Sequence, residues 1–548
     1  MAVAPRDRAA PAGAPLSDRQ PGVRAPTRPA AAARRPPWSR RAGRRRRVVT
    51  AAATTSADDG AADRRRLARG GALSFVGSAV SAGLGFAATI VITRTLGDDG
   101  AGQVLQLVAV LTIALSFGRL GMDSVGVWLL PRLEADPAHV RPAVLLQLAV
   151  ALAGGLVAGL VVAVLLPRVG IPVDATLLRL SAVALPFGCV ALVALAALRG
   201  LGGLRGYVVI GSVALPVVRV IALLAAAVLV ATPLALGLAW AVPLIVVAVV
   251  AVAALLWRVG RLRPASGWLP DRALARQSLG YAAPRTLSAV LEQGLLWLDV
   301  LLVGLLAGSA AAGDYGAASR LIAAGLIIDT ALRVVVSPRF SALLHEGRRA
   351  ETQALYRTAA GWLVVFSSPV YIVLAIFGPL VLTWFGDDFD DAAPALAVLC
   401  AGAIVTFLAG NVHSLLLMSG RSGWAAANKA VVLALNVAAN LLLVPLLGIT
   451  GSAIAWAGAM LLDAVLASLQ VRLLLGIRPH LGHVLGALAV PLALVGIPGG
   501  ALRVALGATP FSLALSVLIG GVALLVWARV DGRRHQLDEL VAAFRRQG

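Results

Sequence analysis

The sequence predicts an all-α polytopic membrane protein with about fourteen transmembrane helices. Hydrophobic residues make up 59% of the 548 residues and the mean hydropathy is +0.88, which exceeds the apolar share of an ordinary soluble domain. Apolar runs of roughly 20 residues, the length that a helix needs to cross a bilayer, recur along the chain. Arginine-rich and arginine-poor loops alternate between these runs. We therefore expect two six-helix lobes with pseudo-two-fold symmetry, followed by a C-terminal hairpin.

Residues 1–68 are rich in arginine, proline and alanine and contain no apolar run. Such a segment cannot bury enough surface to fold, so it is predicted to be a disordered basic tail in the cytoplasm. The apolar core of a secretory signal is missing from it. A start codon placed too early and an organellar transit peptide remain alternative interpretations.

The predicted spans follow one another from Ala72 onward, separated by stretches rich in charge, glycine or proline. They lie near residues 72–93, 102–130, 142–166, 175–198, 206–231, 234–257, 281–307, 315–337, 357–379, 393–418, 424–446, 450–474, 484–504 and 509–530.

The tenth to twelfth spans show the pattern most clearly. The tenth is predicted to end near Met418, and the eleventh runs to Val444 after a short basic turn. Pro445 and Gly448 are predicted to break the chain before the twelfth span begins at Ser452.

The distribution of arginine predicts the orientation of the chain. Five arginines follow the sixth span, whereas the loop at residues 386–391 is acidic. Because positive charge favours the cytoplasmic side, both termini are expected to face the cytoplasm of a bacterium, with the spans in its cytoplasmic membrane. The net charge of +22 does not indicate nucleic-acid binding, because no folded soluble domain remains to present a basic face. The five arginines that follow the sixth span are Arg258, Arg261, Arg263, Arg272 and Arg276.

The longest loop between spans divides the chain into domains. We expect an N-terminal lobe at 69–258, a cytoplasmic linker at 259–280, a C-terminal lobe at 281–476, two extra helices at 477–531 and a cytoplasmic tail at 532–548.

The two lobes resemble each other weakly. The glycine- and aspartate-rich segments 94–102 and 307–316 follow the first and seventh spans, and Pro131-Arg132 and Pro338-Arg339 end the second and eighth. Parallel repeats of this kind predict a cavity between the lobes. A chance match among alanine- and glycine-rich helices is the competing explanation.

A charge within a span costs at least about 2.5–3.5 kcal/mol, so it normally faces a cavity or a partner. Arg285, Glu292 and Asp299 recur every seven residues and share one helix face. Two further pairs, Arg119–Asp123 and Asp329–Arg333, have the spacing of four that permits an intrahelical ion pair. Arg219 stands alone in the fifth span, and Asn436 and Asn440 share a face of the eleventh, from which they can bond to other helices.

Three groups of short motifs resemble the polysaccharide-exporter branch of the MOP superfamily, which contains the Wzx-type flippases for lipid-linked oligosaccharides. The resemblance covers roughly residues 70–530 and implies a two-lobed bundle that works by alternating access. It also implies a polyprenyl-pyrophosphate-linked glycan as cargo. The motifs are Arg94-Thr95-Leu96-Gly97; Asp299 with Gly313-Asp314-Tyr315 and Ala318-Ser319-Arg320; and Gly420-Arg421 with Asn436, Asn440, Pro445 and residues 448–453.

The in-span charges then suggest a site without catalytic residues, metal or cofactor. An arginine-lined cavity would hold the pyrophosphate, because the planar guanidinium binds phosphate oxygens bidentately. Carboxylates in the spans are candidates for coupling to H⁺ or Na⁺. The alternative is that paired charges only hold helices together. The substrate-binding candidates are Arg119, Arg219, Arg285 and Arg333, and the ion-coupling candidates are Glu292, Asp299, Asp123 and Asp329.

Three functional classes follow from these observations. The first is a lipid-linked glycan flippase, whose partners would be the glycan, membrane lipid and other polysaccharide-assembly membrane proteins. The second is a MATE-like secondary exporter or a lipid II flippase on the same scaffold. The third, a membrane-bound glycan polymerase or glycosyltransferase, is disfavoured because the most acidic outer loop, residues 386–391, is very short.

Overall fold

The computed structural model describes residues 57–133, 137–261 and 270–530, and within these ranges the regular structure is entirely helical. Nine α-helices form the N-terminal half, with a π-helical segment at Val208–Ala214 between α6 and α7. They are α1 (Ala57–Gly118), α2 (Met122–Leu129), α3 (Val140–Val164), α4 (Ala175–Ala182), α5 (Ala184–Gly200), α6 (Leu204–Tyr207), α7 (Leu215–Leu229), α8 (Pro233–Ala241) and α9 (Pro243–Gly260).

The C-terminal half of the described chain continues with ten α-helices. A 3₁₀ segment at Asp387–Ala392 holds the acidic loop, and a second π-helical segment lies at Leu492–Gly496. The helices are α10 (Arg272–Ala307), α11 (Ser309–His345), α12 (Arg349–Ile376), α13 (Gly378–Leu382), α14 (Ala393–Leu408), α15 (Val412–Met418), α16 (Ser422–Leu475), α17 (Leu481–Pro491), α18 (Ile497–Leu506) and α19 (Pro510–Val530).

The two longest helices are broken at glycines. Gly97 in α1 and Gly448 in α16 adopt positive φ angles of 67° and 57°, which a residue without a Cβ tolerates best. The predicted break at Gly448 is therefore confirmed. The expectation that Pro445 also interrupts the helix was wrong, because Pro445 lies inside α16 and the chain turns only three residues later.

The predicted spans are mostly helical, although residues 119–121 and 409–411 interrupt the spans predicted at 102–130 and 393–418, and the number of crossings stays a prediction. Within the described ranges, ten helices are long and apolar enough to cross a membrane, or eleven if the bent pair α4–α5 counts as one span. The two longest candidates, Leu73–Gly118 and Gly423–Leu475, contain 46 and 53 residues. Each has room for two crossings, one on each side of its glycine break.

The predicted domain boundaries fall partly outside the described residues. Residues 1–56, part of the predicted linker (262–269) and all of the predicted tail (532–548) are among those not described. Helix α1 begins at Ala57, inside the predicted tail, because alanine and arginine are good helix formers and no proline interrupts them there. Helix α10 likewise begins at Arg272, inside the predicted linker.

A close crossing, at which Gly102 faces Gly313, brings the N-terminal and C-terminal halves together at the predicted outer face. A Cβ on Gly102 would overlap the carbonyl oxygen of Ser309, and a Cβ on Gly313 would overlap that of Asp98. Arg94 reinforces the contact, since its guanidinium donates to the carbonyl oxygens of Thr383 and Trp384 at 3.1 and 2.8 Å. The halves are therefore joined at this face.

Candidate functional site

A cavity of about 710 Å³ lies between the N-terminal helices and the start of α10. Its lining is concentrated at helix ends that the arginine pattern assigns to the cytoplasmic side, such as the ends of α5 and α6 and the first third or so of α10. Three guanidiniums and one carboxylate line it, together with three serines and two tyrosines. The lining residues are Ser81, Arg119, Asp123, Ser124, Val127, Trp128, Leu192, Leu195, Ala196, Arg199, Tyr207, Gly211, Ser212, Tyr281 and Arg285.

The predicted pair Arg119–Asp123 is confirmed and lies in the cavity wall. Arg119 Nη1 is 2.9 Å from Asp123 Oδ2. The other donors of Arg119 reach Ser116 Oγ at 3.0 Å and the Leu115 carbonyl at 3.1 Å. Three protein partners fix this guanidinium in the cavity wall. It therefore helps to shape the cavity, and Asp123 partly neutralises its charge.

Two other cavity arginines have no carboxylate partner within the described chain. Arg285 is exposed to the cavity from α10, as its position in the charged stripe predicted. Arg199, at the end of α5, has only the ring of Tyr207 beside its guanidinium, at 5.4 Å. These two cations are therefore available to an incoming anion. Arg199 was not among the predicted site residues, because its place next to Gly200 is typical of a cytoplasmic loop.

An aromatic stack closes one side of the cavity and links the two halves. The Trp128 ring on α2 and the Tyr281 ring on α10 lie parallel, with centroids 4.2 Å apart and an interplanar angle of 7°. The guanidinium of Arg132 lies 4.3 Å from the Trp128 ring centroid. Both faces of Trp128 are therefore covered, and the stack holds α10 against the N-terminal helices.

The structure does not bring Arg219 to the cavity. Its guanidinium lies 3.9 Å from the ring centroid of Trp240 on the neighbouring helix α8, and Nε donates to the Trp240 carbonyl at 3.1 Å. Cation–π contact and backbone bonding thus satisfy this charge within the N-terminal half. A lone arginine in an apolar span gives no indication of which aromatic residue it will meet.

The remaining predicted residues of α10 and α11 also lie outside the cavity lining. Arg333 Nη2 and Asp329 Oδ2 form the predicted intrahelical pair at 2.7 Å, and the Arg333 side chain is half exposed. Glu292 is exposed and has no cationic partner within the described residues. The structure therefore confirms the pairing of Asp329 with Arg333 and leaves the roles of these three residues as predictions.

Asp299 forms a separate buried polar centre. Its carboxylate is only 4% exposed and accepts hydrogen bonds from Tyr315 Oη at 3.2 Å and Asn440 Nδ2 at 3.0 Å. The predicted bonding of Asn440 across helices is thus confirmed. Asn436 and Ser452 adjoin this centre beside Asp299 and Tyr315 respectively, and the amide oxygen of Asn436 is buried without a hydrogen-bond partner.

A second buried carboxylate, Asp463, was not among the predicted site residues. Lys429 Nζ lies 2.6 Å and His413 Nε2 3.2 Å from Asp463 Oδ2, so one oxygen joins three segments of the C-terminal half. On the same two segments, Asn428 and Gln470 exchange two amide hydrogen bonds of 2.9 and 2.7 Å. Lys429 and Asp463 are too far apart in sequence for helical spacing to predict their contact.

Two groups of membrane helices around a cavity with excess positive charge define this architecture. The family described as polysaccharide biosynthesis protein matches residues 67–344, more than half of the chain, and the chain belongs to that family. Two curated proteins of Haloferax volcanii are similar to it. One, named probable flippase AglR, is 25% identical over 208 residues, which cover 36% of this chain and 42% of that protein. The other, probable low-salt glycan biosynthesis flippase Agl15, is 23% identical over 198 residues, which cover 35% and 41%.

The chain thus spans about two-fifths of the length of these curated relatives, and solved structures establish the fold over more of it. A lipid II flippase MurJ, in an inward closed conformation, matches with a TM-score of 0.66, 12% identity and coverage of 84% of this chain and 99% of that one. An inward-facing multidrug resistance MATE transporter matches at 0.57, with 14% identity and coverage of 72% and 94%. A MOP superfamily transporter from Pyrococcus furiosus, described as having a binding pocket of reversed polarity, matches at 0.52, with 14% identity and coverage of 75% and 96%.

Proposed function

We propose that this protein is a flippase that moves a polyprenyl-pyrophosphate-linked oligosaccharide across the bacterial cytoplasmic membrane by alternating access. The observation that carries the proposal is the cavity between the two halves, where three arginines face one carboxylate. Membership of the polysaccharide biosynthesis family and similarity to proteins named as glycan flippases support it.

The cavity suits a pyrophosphate in both charge and geometry. Three guanidiniums against one carboxylate leave an excess of two positive charges, and Asp123 is already bonded to Arg119. Arg199 and Arg285 are the free cations, and their planar forks bind phosphate oxygens bidentately. Such contacts are stronger within a membrane protein than in water, because the surrounding dielectric is lower.

The same charge balance disfavours an exporter of organic cations. A cationic drug requires an unpaired carboxylate, and the cavity lining offers only Asp123, which Arg119 neutralises at 2.9 Å. A lipid II flippase needs the same pyrophosphate contacts as a flippase for other lipid-linked oligosaccharides. Test substrates that differ in the attached sugar therefore have to distinguish these two functions.

We further propose Asp299 as the coupling site for H⁺ or Na⁺. Its carboxylate, the amide oxygens of Asn436 and Asn440 and the hydroxyl of Ser452 are buried oxygens, several of them without partners. Oxygen donors of this kind bind Na⁺ in membrane transporters, and a buried carboxylate binds a proton. Asp299 and Arg285 both lie on α10, so a movement of this helix caused by ion binding at Asp299 also moves Arg285.

A proteoliposome assay tests the proposed cargo. Purified protein is offered a short-chain fluorescent polyprenyl-pyrophosphate oligosaccharide, lipid II and an organic cation in parallel. Translocation of the oligosaccharide above that of the other two substrates is the expected result. Preferential transport of the cation by folded protein would contradict the proposal, and preferential transport of lipid II would reassign the cargo while leaving the phosphate site intact.

A further inference from the structure

A second hollow lies in the C-terminal half, away from the arginine-lined cavity. It has a volume of about 620 Å³. Its walls are α12, α14 and the continuous helical segment Leu481–Leu506, which comprises α17, the second π-helical segment and α18. Its lining includes no charged side chain. Leu492 and Ile497 at its edge are 46% and 71% exposed, so the hollow is a groove open to the bilayer.

The sequence explains why a groove forms at this place. Alanine or glycine occupies the facing positions of all three walls, including Ala375, Ala397 and Ala493. The π-helical turn at Leu492–Gly496 widens the helix locally, and such turns occur frequently at functional sites. The groove therefore combines short side chains with a local change in helix geometry.

Arg503 lies beyond one end of this groove. It follows Gly496 by seven residues, which places it on the same helix face, about 10 Å closer to the turn that joins α18 to α19. Its Nη1 donates to the carbonyl oxygen of Ile376, a residue that also lines the groove. The other donors of Arg503 have no partner within the described residues, and no described carboxylate pairs with it.

The position of Arg503 relative to the membrane points to a lipid headgroup. The helical segment Leu481–Leu506 has the length of one membrane crossing, so Arg503 lies near the membrane face opposite His480. The arginine pattern assigns the face near Arg503 to the outside. From Ile497, the groove residue nearest to Arg503 along the chain, to Arg503 the helix rises about 9 Å. One leaflet contributes roughly half of the ~30 Å hydrocarbon core, so a chain reaching from this arginine into the groove belongs to that leaflet.

The arginine supplies the selectivity that the groove lacks. In a bilayer an acyl chain gains little by leaving other chains for an apolar protein surface, because lipid tails are as apolar as leucine. A guanidinium with free donors, by contrast, forms charge-assisted hydrogen bonds with a phosphodiester. A lipid with net negative charge is therefore favoured over a zwitterionic one.

We propose that this groove binds an anionic glycerophospholipid of the outer leaflet, with its phosphate on Arg503 and one acyl chain along α18 and the π-helical turn. No residue lines both this groove and the arginine-lined cavity. The bound lipid is thus distinct from a cargo whose pyrophosphate occupies the cavity, and the inference holds whatever that cargo is.

Native mass spectrometry of the full chain tests the site. Protein is released from bilayers of phosphatidylglycerol and phosphatidylethanolamine, and bound lipids are counted and identified. Arg503→Gln removes the cation, and Ala493→Trp fills the groove from an exposed position. The matched controls are Arg529→Gln, an exposed arginine at the other end of the C-terminal hairpin, and Leu518→Trp, an exposed position on α19 outside the groove.

Wild-type protein is expected to retain one phosphatidylglycerol molecule. The Arg503→Gln variant loses the charge-assisted hydrogen bonds to the phosphate. It should therefore bind phosphatidylglycerol more weakly than wild type, on the order of tenfold. Ala493→Trp should abolish retention, and both controls should match wild type. Unchanged retention in either test variant, equal retention of the zwitterionic lipid, or recovery of a polyprenyl phosphate in place of the phospholipid would overturn the proposal. A variant that fails to elute as folded protein is replaced by Gly496→Leu, which fills the same groove.

Discussion

Asn440 Nδ2 donates a hydrogen bond to Asp299 Oδ1 at 3.0 Å, which joins α16 to α10 in the buried interior of the C-terminal half. The same carboxylate accepts a second hydrogen bond from Tyr315 on α11. Three helices thus meet at one buried charge, and polar contacts at such a point stabilise one arrangement of helices over another. This centre is therefore where binding of a cation can alter the position of α10.

Asp299→Asn is expected to uncouple transport from its ion gradient. The substitution keeps the shape of the side chain and an oxygen that accepts the hydrogen bond from Asn440, while it removes the negative charge. Flipping by wild-type protein should accelerate when a Na⁺ or H⁺ gradient is imposed on proteoliposomes. The variant should flip at the same rate with and without the gradient.

Glu292→Gln is the matched comparison for that experiment, since Glu292 lies on the same helix and is exposed. If it abolished the gradient response while Asp299→Asn preserved it, Glu292 would be the coupling residue and the proposed role of Asp299 would be wrong.

Asp463→Leu is expected to destabilise the protein by roughly 3 kcal/mol, because it leaves Lys429 without its carboxylate partner. Lys429→Met should likewise destabilise it, because it leaves the buried Asp463 carboxylate without its lysine partner and with only His413 beside it. The double variant should recover most of the loss, since apolar residues can replace a buried pair at little cost. Thermal unfolding of the four proteins in one detergent measures these differences, and a double variant as unstable as the sum of the single variants would show that the pair is not coupled.

Gly102→Ala is expected to open the contact between the two halves at the predicted outer face. The added Cβ would overlap the Ser309 carbonyl oxygen, so α1 and α11 must separate. A cysteine at Ala310 should then react faster with a membrane-impermeant maleimide, against a low background because Cys189 and Cys400 are fully buried. Gly83→Ala is the control, since a Cβ there meets no atom within 4 Å. Equal labelling in the two variants would mean that the glycine crossing does not hold this face closed.

Local sequence patterns predicted the features that depend on one helix. Hydropathy located the helices, since it reports contact with lipid directly. Spacings of four residues predicted the ion pairs of Arg119 and of Asp329, because such pairs are neighbours on one helix surface. The segments at 94–102 and 307–316, singled out for their resemblance to each other, contact each other in the structure, although their resemblance alone did not predict that contact.

Features that depend on how helices pack were not predictable in this way. Arg219 meets Trp240 of the next helix, and Asp463 binds Lys429 of a segment 34 residues away. Helical periodicity places a residue on a face but does not specify which neighbour covers that face. Arg199 was missed for a related reason, because an arginine at a helix end is equally typical of a cytoplasmic loop and of a cavity rim.

The most direct test of the phosphate-binding cavity is the rate at which proteoliposomes with Arg285→Ala flip a fluorescent polyprenyl-pyrophosphate oligosaccharide. Arg276→Ala is the matched control, because Arg276 is exposed on the opposite face of α10 and does not line the cavity. The Arg285→Ala variant loses a charge-assisted contact and should flip the substrate more slowly than wild type, on the order of tenfold or more. The Arg285→Lys variant should recover part of the rate, and Arg276→Ala should match wild type. Equal rates for Arg285→Ala and Arg276→Ala, at equal amounts of folded protein, would contradict the assignment of the cavity to the pyrophosphate.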